Sequence, residues 1–556
     1  MATPDPSLSS SSSSAPPSLT TYIASTLEST FPGTHDFKFQ TIRSQPRRSY
    51  ALFPHHSLIN QNQNQNHHKT GIKIWQEEVL CVLSIEREVT TQQSEGGAEG
   101  NGKGKEKGKE LNETTTTTQG DTQKEKEKET VTTVKGWVPL CAIEASIYTI
   151  PLTSVSILYI SKIDTTGLQP PPSSSSLSPT LSPTKAFVAA FLRYHFDHPP
   201  HGTKRLRVHV FARSQSQYLF PGSIENTSQT QGGKKVLDDK GLLRWWKSTL
   251  ELSTTSSSSK RSIQKFYLIP GLTLSESLPY LPSLPSSSWV YGHPYSTLSS
   301  PLHPPSTPAS TLDLADLIPA FPDDPKSRFL HSLTSSSLSP SGAEGDYDDL
   351  HHQLHELSFI SGSNSNSTLQ SRMKELEKER ERERGRLVEG VKGGVGEWWE
   401  RMGWRQECCS GVLVGFFVLA LGDDEESTDH ETTTNVQQGG GGGGSGGSTT
   451  APTGYPSSLP HAIFTKLWTQ FHNQDYSLLR LSSLIPALSK WADDVERLVG
   501  LEVEKGNVEK GEIERLVKVR NEGLMEALRE ERKRKMKEEE GKRKVNTLAP
   551  RKKKKV

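Results

Sequence analysis

Hydrophobic and polar positions along the chain define two kinds of segment. Apolar runs rich in β-branched residues, each ended by Gly, Pro or a polar cluster, predict strands over 71–86, 134–162, 205–213 and 265–269. A further apolar run, Val412 to Leu421, is about half the length that a membrane-spanning helix needs, and acidic residues follow it. We interpret this run as a buried strand.

Segments of helical period lie between and after these strands. They predict helices over 184–196, 237–252, 325–333 and 461–500, and a charged helix near 508–540. The combination predicts an α/β core with a helical C-terminal part.

Low-complexity tracts interrupt this core and are too polar to bury a core of their own. We predict a disordered N-terminus over 1–15 and disordered insertions near 90–130, 170–184, 334–369 and 423–457. The remainder is enough for one large domain or two ordinary ones. We assign 16–500 to one domain, 501–545 to a charged helical segment and 546–556 to a basic tail.

Charge and cysteine content narrow the possible functions. The 556 residues carry a formal net charge of +1, which excludes a chain-wide basic field for wrapping nucleic acid. Residues 531–556 nevertheless hold 13 basic and 4 acidic side chains. The tail after Pro550 is typical of a nuclear import signal, and a solvated tail that contacts acidic partners is the alternative. The four cysteines form neither a disulfide framework nor a zinc-binding pattern, which indicates a reducing compartment.

The common catalytic sequence motifs do not occur at the predicted strands and helices. Neither a nucleophile elbow nor a dinucleotide-binding glycine motif follows a predicted strand directly, and the sequence contains no zinc-protease motif or P-loop. His351, His352 and His355 lie in a Ser-rich tract without a cysteine or a distant partner, so we predict no metal site.

Some polar side chains occupy positions that suit a cleft. Asp164 ends a strongly apolar strand, so it either lies in a cleft or begins an Asx turn. Lys234 and Lys235 precede a helix, where free backbone N–H groups and ammonium groups suit a phosphate. That helix carries Trp245 and Trp246, which point about 100° apart. Either one of them lines a cleft or both are buried.

Two adjacent carboxylates, Asp323 and Asp324, lie between prolines at the end of a long Pro/Ser loop. Asp324 followed by Pro325 is a good helix start, and this structural role is one interpretation. The other is that the pair, beside Lys326 and Arg328, binds and deprotonates a cationic substrate. A lysine amine has a reference pKa of about 10.4, so its attack at neutral pH requires a base or a strongly perturbing site.

Four motifs in one order carry a family resemblance. They are SKIDTTG at 161–167, SQYLFP at 216–221, the tryptophan pair at 245–246 and FPDDPKSRF at 321–329. With them, the sequence resembles the fungal histone H3 lysine acetyltransferases of the regulator-of-Ty-transposition family. The resemblance extends over nearly the whole chain outside the insertions.

The resemblance implies an α/β fold like that of CBP-type histone acetyltransferases, with helices around a central mixed β-sheet and acetyl-CoA in a cleft. The implied substrate is newly made histone H3, with H4, modified on a core-helix lysine near the place where DNA enters the nucleosome and on tail lysines. The implied partners are histone chaperones of the anti-silencing and nucleosome-assembly-protein types, acting in the nucleus. The implied processes are replication-coupled nucleosome assembly and the DNA damage response, without a membrane or sequence-specific nucleic acid as partner.

The family's site residues map onto matching positions of this sequence. Those implied to contact the cofactor are Ile163, Asp164, Thr165, Phe211, Gln215, Lys235, Val236, Leu237 and Trp245. Those implied for catalysis are Tyr218 and Trp246 beside the substrate-lysine tunnel, Asp324 as proton acceptor beside Asp323, and Lys326 as a lysine that the family acetylates on itself. Pro and Ser replace the family's cofactor-binding stretch after Gly167, which leaves Thr184 and Lys185 as candidates for its contacts.

The residues also agree with direct acetyl transfer. Attack by a neutral amine on a thioester requires orientation and deprotonation rather than a protein nucleophile. Cys81 and Cys141 lie inside apolar strands, whereas an acetyl-cysteine route requires an exposed thiolate. We therefore predict transfer within a ternary complex. The alternative function is a non-catalytic scaffold that binds histones or chaperones.

Overall fold

A computed structural model of the chain describes most of the predicted core. The described residues are 16–54, 72–93, 130–170, 181–227, 233–255, 261–281, 288–296, 300–334, 393–405, 411–422 and 455–524, with isolated positions at 56, between 378 and 391, at 408 and between 526 and 537. The predicted disordered N-terminus and the basic tail lie outside these residues, as do the three histidines at 351–355 and most of each predicted insertion.

Within the described residues, an 11-stranded mixed sheet forms the centre of the fold. Its strands are β1 (Gly33–Ser44), β2 (Arg47–Arg48), β3 (Trp75–Gln93), β4 (Thr130–Ile150), β5 (Val155–Thr165), β6 (Arg205–Ala212), β7 (Ile263–Leu268), β8 (Trp289–Tyr291), β9 (Gly415–Leu421), β10 (Ser458–Leu459) and β11 (Glu514–Asn521). Their order is β10-β1-β3-β4-β5-β6-β9-β7-β8, while β11 also pairs with β1 and β2 with β3. The pairs β5–β6, β7–β8 and β1–β10 are parallel.

Helices pack around this sheet. They are α1 (Leu19–Thr30), α2 (Pro183–Asp197), α3 (Asp239–Thr255), α4 (Leu274–Ser277), α5 (Leu314–Leu317), α6 (Pro325–Thr334), α7 (Gly394–Gly403), α8 (His461–His472) and α9 (Leu481–Glu504). The beginning of α2 follows from local sequence: the Ser182 side chain accepts a hydrogen bond from the Lys185 N–H, and Pro183 occupies the first turn. Both features favour a helix start, because they suit N–H groups that have no partner within the helix.

Both faces of the central strands are buried. In β5, Leu158 and Ile160 belong to the largest apolar cluster, which also contains side chains from α1, α2, α3, α8 and α9. The alternate residues Val155, Ile157 and Tyr159 face a second cluster that includes Phe321. Successive side chains of a strand point to opposite faces, so this division places apolar layers on both sides of the sheet.

The structure confirms the predicted α/β class with a central mixed sheet, and it confirms most of the elements by type. The apolar run 134–162 forms two strands rather than one, because a 3-10 turn at Pro151–Thr153 separates β4 from β5. The predicted insertion near 170–184 ends earlier, since α2 begins at Pro183.

The prediction of a charged helix near 508–540 is wrong for residues Glu514–Asn521, which form the strand β11. Val517 and Val519 are fully buried there, whereas the intervening Lys518 is exposed. This alternation is the period of a strand, which the high charge of the segment hides. The sequence reasoning also missed α1 and β1, which precede the first predicted strand.

Candidate functional site

The carboxyl ends of β5 and β6 form the floor of a cleft of about 320 Å³. These two strands run parallel and are connected through α2, so their carboxyl ends meet at the same edge of the sheet. Ligands of α/β folds bind at such an edge. The N-terminus of α2 also borders the cleft through Ser182, Pro183 and Thr184, where the helix favours an anionic group.

Asp164 is the centre of the hydrogen-bond network that shapes this cleft. Its Oδ2 accepts hydrogen bonds from the backbone N–H groups of Tyr218, Leu219 and Phe220 at 2.7, 3.0 and 3.3 Å. Its Oδ1 lies 2.8 Å from Lys234 Nζ, and both side chains are 4% exposed. Asp164 therefore connects the end of β5 with the loop after β6 and with the segment before α3. The cleft interpretation of Asp164 therefore agrees with the structure. Its Oδ1 also accepts a hydrogen bond from the N–H of the next residue, Thr165, whereas an Asx turn would use the N–H two residues on.

Gly167 permits the close approach of the segment before α3 to the end of β5. Its φ is +88°, in the region that favours glycine, and a Cβ there would lie 2.4 Å from the backbone nitrogen of Lys234. A larger residue would push Lys234 away from Asp164. The glycine of the SKIDTTG motif is thus part of the same junction.

Aromatic side chains form one wall. The rings of Trp245 and Trp246 meet edge to face at 5.1 Å, and both line the cleft, with Trp246 the more deeply buried. Tyr218 lines the same cleft, and its hydroxyl donates to the carbonyl of Arg213. Burial, aided by the nearby Asp164 charge, raises the pKa of Tyr218 to about 12, so this phenol is protonated at neutral pH.

The cleft brings together every residue that the resemblance assigns to cofactor contact, together with Tyr218 and Trp246. In chain order, the lining includes Ile163, Asp164, Thr165, Phe211, Gln215, Tyr218, Lys235, Val236, Leu237, Trp245 and Trp246. Apolar side chains alternate with the basic groups of Lys235 and Arg213 along this surface. Such a mixture suits a ligand with an apolar arm and phosphates.

The acidic motif residues lie beside the cleft rather than in its lining. Asp324 and Lys326 form a buried ion pair, with side chains 0% and 2% exposed. Lys326 Nζ lies 4.4 Å from the ring centre of Phe416, and that ring stacks at 4.9 Å on Phe211 of the cleft wall. Asp323 lies closer to solvent, with its Oδ2 3.7 Å from Nζ of Lys162, a lining residue.

The helix-start interpretation of Asp324 also holds. Its Oδ1 accepts a hydrogen bond of 2.8 Å from the backbone N–H of Lys326, at the first turn of α6. Burial lowers the pKa of Lys326, and the Asp324 charge opposes that shift. Burial and the Lys326 and Arg207 charges hold the pKa of His293 well below its ordinary value, so His293 adds no charge at neutral pH.

Sequence reasoning missed several lining residues. Lys234 was part of a recognised basic pair, but its role as the buried partner of Asp164 depends on a contact across 70 residues of sequence. Arg213 and Ser182 line the cleft as well, and the Ser-Pro helix start was the available signal for Ser182. Of the two candidates after Gly167, Thr184 lines the cleft, whereas Lys185 Nζ donates to Ser248 Oγ.

Cys81 and Cys141 are fully buried in β3 and β4. Burial raises the pKa of each thiol to about 12, which leaves both protonated at neutral pH. Neither cysteine lines the cleft. Within the part of the chain that the structure describes, no helix has the length and apolar character needed to cross a membrane.

Three comparisons with known proteins found similar sequences and a similar fold. Residues 180–442 match the family model of the histone acetyltransferase KAT11-type domain. The chain is 29% identical over 303 residues to histone acetyltransferase rtt109 of Aspergillus flavus, which covers 50% of this chain and 44% of the relative. It is 28% identical over 233 residues to histone acetyltransferase rtt109 of Schizosaccharomyces pombe, which covers 40% and 42%. The chain thus spans less than half the length of these curated relatives.

A solved structure shares the fold. The crystal structure of Rtt109 from Aspergillus fumigatus superimposes with a TM-score of 0.52 at 20% sequence identity, covering 90% of this chain and 99% of that chain. Residues 180–442, a little under half of the chain, are therefore similar to the histone acetyltransferase KAT11-type domain. The two relatives in sequence both carry the name histone acetyltransferase rtt109, and the solved structure shares the fold.

Proposed function

We propose that this protein transfers acetyl from acetyl-CoA to lysines of newly made histone H3. The observation that carries the proposal is the single cleft at the ends of β5 and β6, where the first three motifs of the resemblance meet and the fourth lies directly behind the wall. The finer substrate choice, a core-helix lysine and tail lysines, is part of the same proposal.

The cleft residues suit acetyl-CoA as co-substrate. Lys235, Arg213 and the N-terminus of α2 offer positive potential for the phosphates. Phe211, Leu237 and Trp245 offer apolar surface for the pantetheine arm. When bound, acetyl-CoA supplies the activated acetyl group. The chain's own residues hold that group against Trp246 and Tyr218.

Deprotonation of the substrate amine falls to the acid pair. We assign Asp324 as the proton acceptor, with Asp323 at the surface to attract the cation. Both Asp324 oxygens are engaged by Lys326, Oδ1 by the backbone N–H and Oδ2 by the ammonium. Acetylation of Lys326 removes that ammonium and gives Asp324 the free oxygen that a base requires. The position that matches the family's self-acetylated lysine would therefore control the availability of Asp324 as general base.

Transfer is direct, within a ternary complex. The two buried thiols of the described sheet are protonated and lie outside the cleft lining, which disfavours an acetyl-cysteine intermediate. The cleft instead orients the thioester and the amine, and such orientation accounts for a large part of the rate of acyl transfer.

The same proposal places the protein in the nucleus, with histone chaperones of the anti-silencing and nucleosome-assembly-protein types as partners that present H3 with H4. Replication-coupled nucleosome assembly and the DNA damage response are the processes it would serve. A scaffold that binds histones or chaperones without turnover is the alternative, and the assay below separates the two.

The test is incorporation of labelled acetate from acetyl-CoA into H3–H4, with and without a chaperone. Wild-type protein should label H3, and Asp324→Asn should lower the rate by about 10²–10⁴-fold, the usual contribution of a general base. Absence of labelling by folded wild-type protein under both conditions favours the scaffold. Equal labelling by wild type and Asp324→Asn removes Asp324 from its role.

A further inference from the structure

Lys162 is one of the residues that line the cleft, and side chains of other residues form a cation site around its ammonium group. Its Nζ is 3.2 Å from Glu144 Oε1 and 3.7 Å from Asp323 Oδ2. The ring of Trp468 lies on the same side, with its centre 5.4 Å from that nitrogen. Two carboxylates and an aromatic face form the kind of surroundings that recognise an ammonium group.

Glu144 is held in place independently of Lys162. Its Oε2 accepts a hydrogen bond of 2.8 Å from the Trp468 indole N–H, and its Oε1 accepts one of 3.0 Å from Ser161 Oγ. The β-bulge at Glu144/Ala145 sets the position of this residue opposite Lys162. Glu144 would therefore keep its position if the Lys162 ammonium moved away.

The backbone at Asp323 is also held in place. It has a φ of +59°, which is unusual for a residue other than glycine, and it is followed by the capped start of α6. The preceding residue is anchored as well, because the Tyr159 hydroxyl donates to the Pro322 carbonyl at 3.2 Å. The Asp323 side chain is 71% exposed, so an incoming cation can reach it.

We propose that Lys162 is an internal competitor for the substrate lysine: its ammonium fills this cation site until the substrate's cationic side chain displaces it. Its side chain is only 22% exposed but belongs to the cleft lining, so it has open space into which to swing. The inference rests on the proposed function, since it assigns the route by which the substrate enters. It makes Lys162 a residue that sets selectivity and affinity for basic protein segments.

The first test is Lys162→Met, which keeps the chain length and removes the charge. Affinity for a lysine-rich H3 peptide, measured by fluorescence anisotropy, should rise about two- to fivefold, the factor expected for one partly exposed ion pair. The KM for the peptide should fall to the same extent, while the KM for acetyl-CoA stays the same. Glu144→Gln should weaken peptide binding, because it removes a fixed carboxylate of the site.

The matched control is Lys135→Met. Lys135 also forms an ion pair on the sheet, 3.0 Å from Glu86, but it lies outside the cleft lining. This control should leave peptide affinity unchanged. If Lys162→Met proves unstable in thermal melts, Lys162→Gln replaces it in the same measurements.

The outcomes separate the two proposals. Unchanged or weaker peptide binding by a folded Lys162 variant overturns the competitor role, whatever the activity. A change confined to the KM for acetyl-CoA also overturns it, because it would place Lys162 on the cofactor. Tighter peptide binding without acetyl transfer by any variant supports the cation site and rejects the enzymatic function instead.

Discussion

Two buried aspartate–lysine pairs lie at or beside the cleft, and they differ in the further hydrogen bonds that each carboxylate accepts. Asp164 binds Lys234 and also accepts hydrogen bonds from backbone N–H groups of a second chain segment, residues 218–220. Asp324 binds the Lys326 ammonium. Within the part of the chain that the structure describes, its carboxylate accepts one further hydrogen bond, from the backbone N–H of the same lysine. The first pair joins separate segments, whereas the second is local and lies against aromatic rings.

This difference indicates which pair can change during a reaction. Loss of the Asp164 carboxylate would release both Lys234 and the loop that carries Tyr218, so this carboxylate must stay in place. Breaking Asp324–Lys326 would leave the surrounding backbone hydrogen bonds in place. A buried charge without its partner is costly in either case, so neutralisation of Lys326 is the change that the site tolerates best.

The largest effect should come from Asp164→Asn. It leaves the Lys234 ammonium buried without a counter-charge, and breaking such a pair costs about 3–5 kcal/mol. We expect a large fall in the melting temperature together with loss of acetyl transfer. The double variant Asp164→Asn/Lys234→Met removes both charges and should recover stability and part of the activity. A single variant that melts like the wild type would refute the role of Asp164 as the junction.

Asp324→Asn should separate stability from catalysis. Adding Lys326→Gln should recover stability, because no buried ammonium remains unpaired. The transfer rate should stay about 10²–10⁴-fold below the wild type, since the base is still missing. Thermal melts measure the stability, and initial rates on the same preparations measure the acetyl transfer. Recovery of activity in the double variant would make the second pair a structural junction like the first.

The sequence predicted the class of fold and, mainly through the family resemblance, a large part of the cleft lining. Reasoning from the residues alone identified Asp164 and the lysine pair as cleft candidates, because they lie at a strand end and before a helix start, where polar side chains interrupt the apolar period. The Asp324-Pro325 step was found in the same way, but it lies beside the cleft lining. What the sequence did not predict were long-range partners: Lys234 for Asp164, Glu144 and Trp468 for Lys162, and β11 for β1. Such contacts depend on the assembled sheet, and neither spacing nor composition encodes them.

The proposed acetylation of Lys326 should depend on pH, which is a smaller and graded effect. Because burial lowers the pKa of Lys326, its neutral amine is available at a lower pH than that of an ordinary lysine. Its acetylation rate by acetyl-CoA should rise with pH and level off below the reference value of about 10.4. Asp324 raises this pKa, so Asp324→Asn should shift the plateau to still lower pH. Mass spectrometry of the Lys326 peptide measures both curves. A plateau that shifts to higher pH in Asp324→Asn would contradict the pairing of Asp324 with Lys326.

The smallest effect should come from the cysteines. Cys81→Ala/Cys141→Ala should lower stability slightly and leave the transfer rate within about twofold, because neither thiol touches the cleft. In the native protein, both thiols should resist alkylation up to pH 9, whereas they react when the chain is unfolded, since burial raises their pKa to about 12. Rate loss of about a hundredfold in a folded double variant would reinstate covalent catalysis.

The most direct test of the central claim is a crystal structure of the full chain with coenzyme A covalently joined to a lysine side chain. We expect the phosphates near Lys235 and the N-terminus of α2. The lysine end should lie between Trp246 and Asp323, with Lys162 displaced from Glu144. Density for this ligand elsewhere, for example in the second cavity beside Trp137 and Trp491, would contradict it.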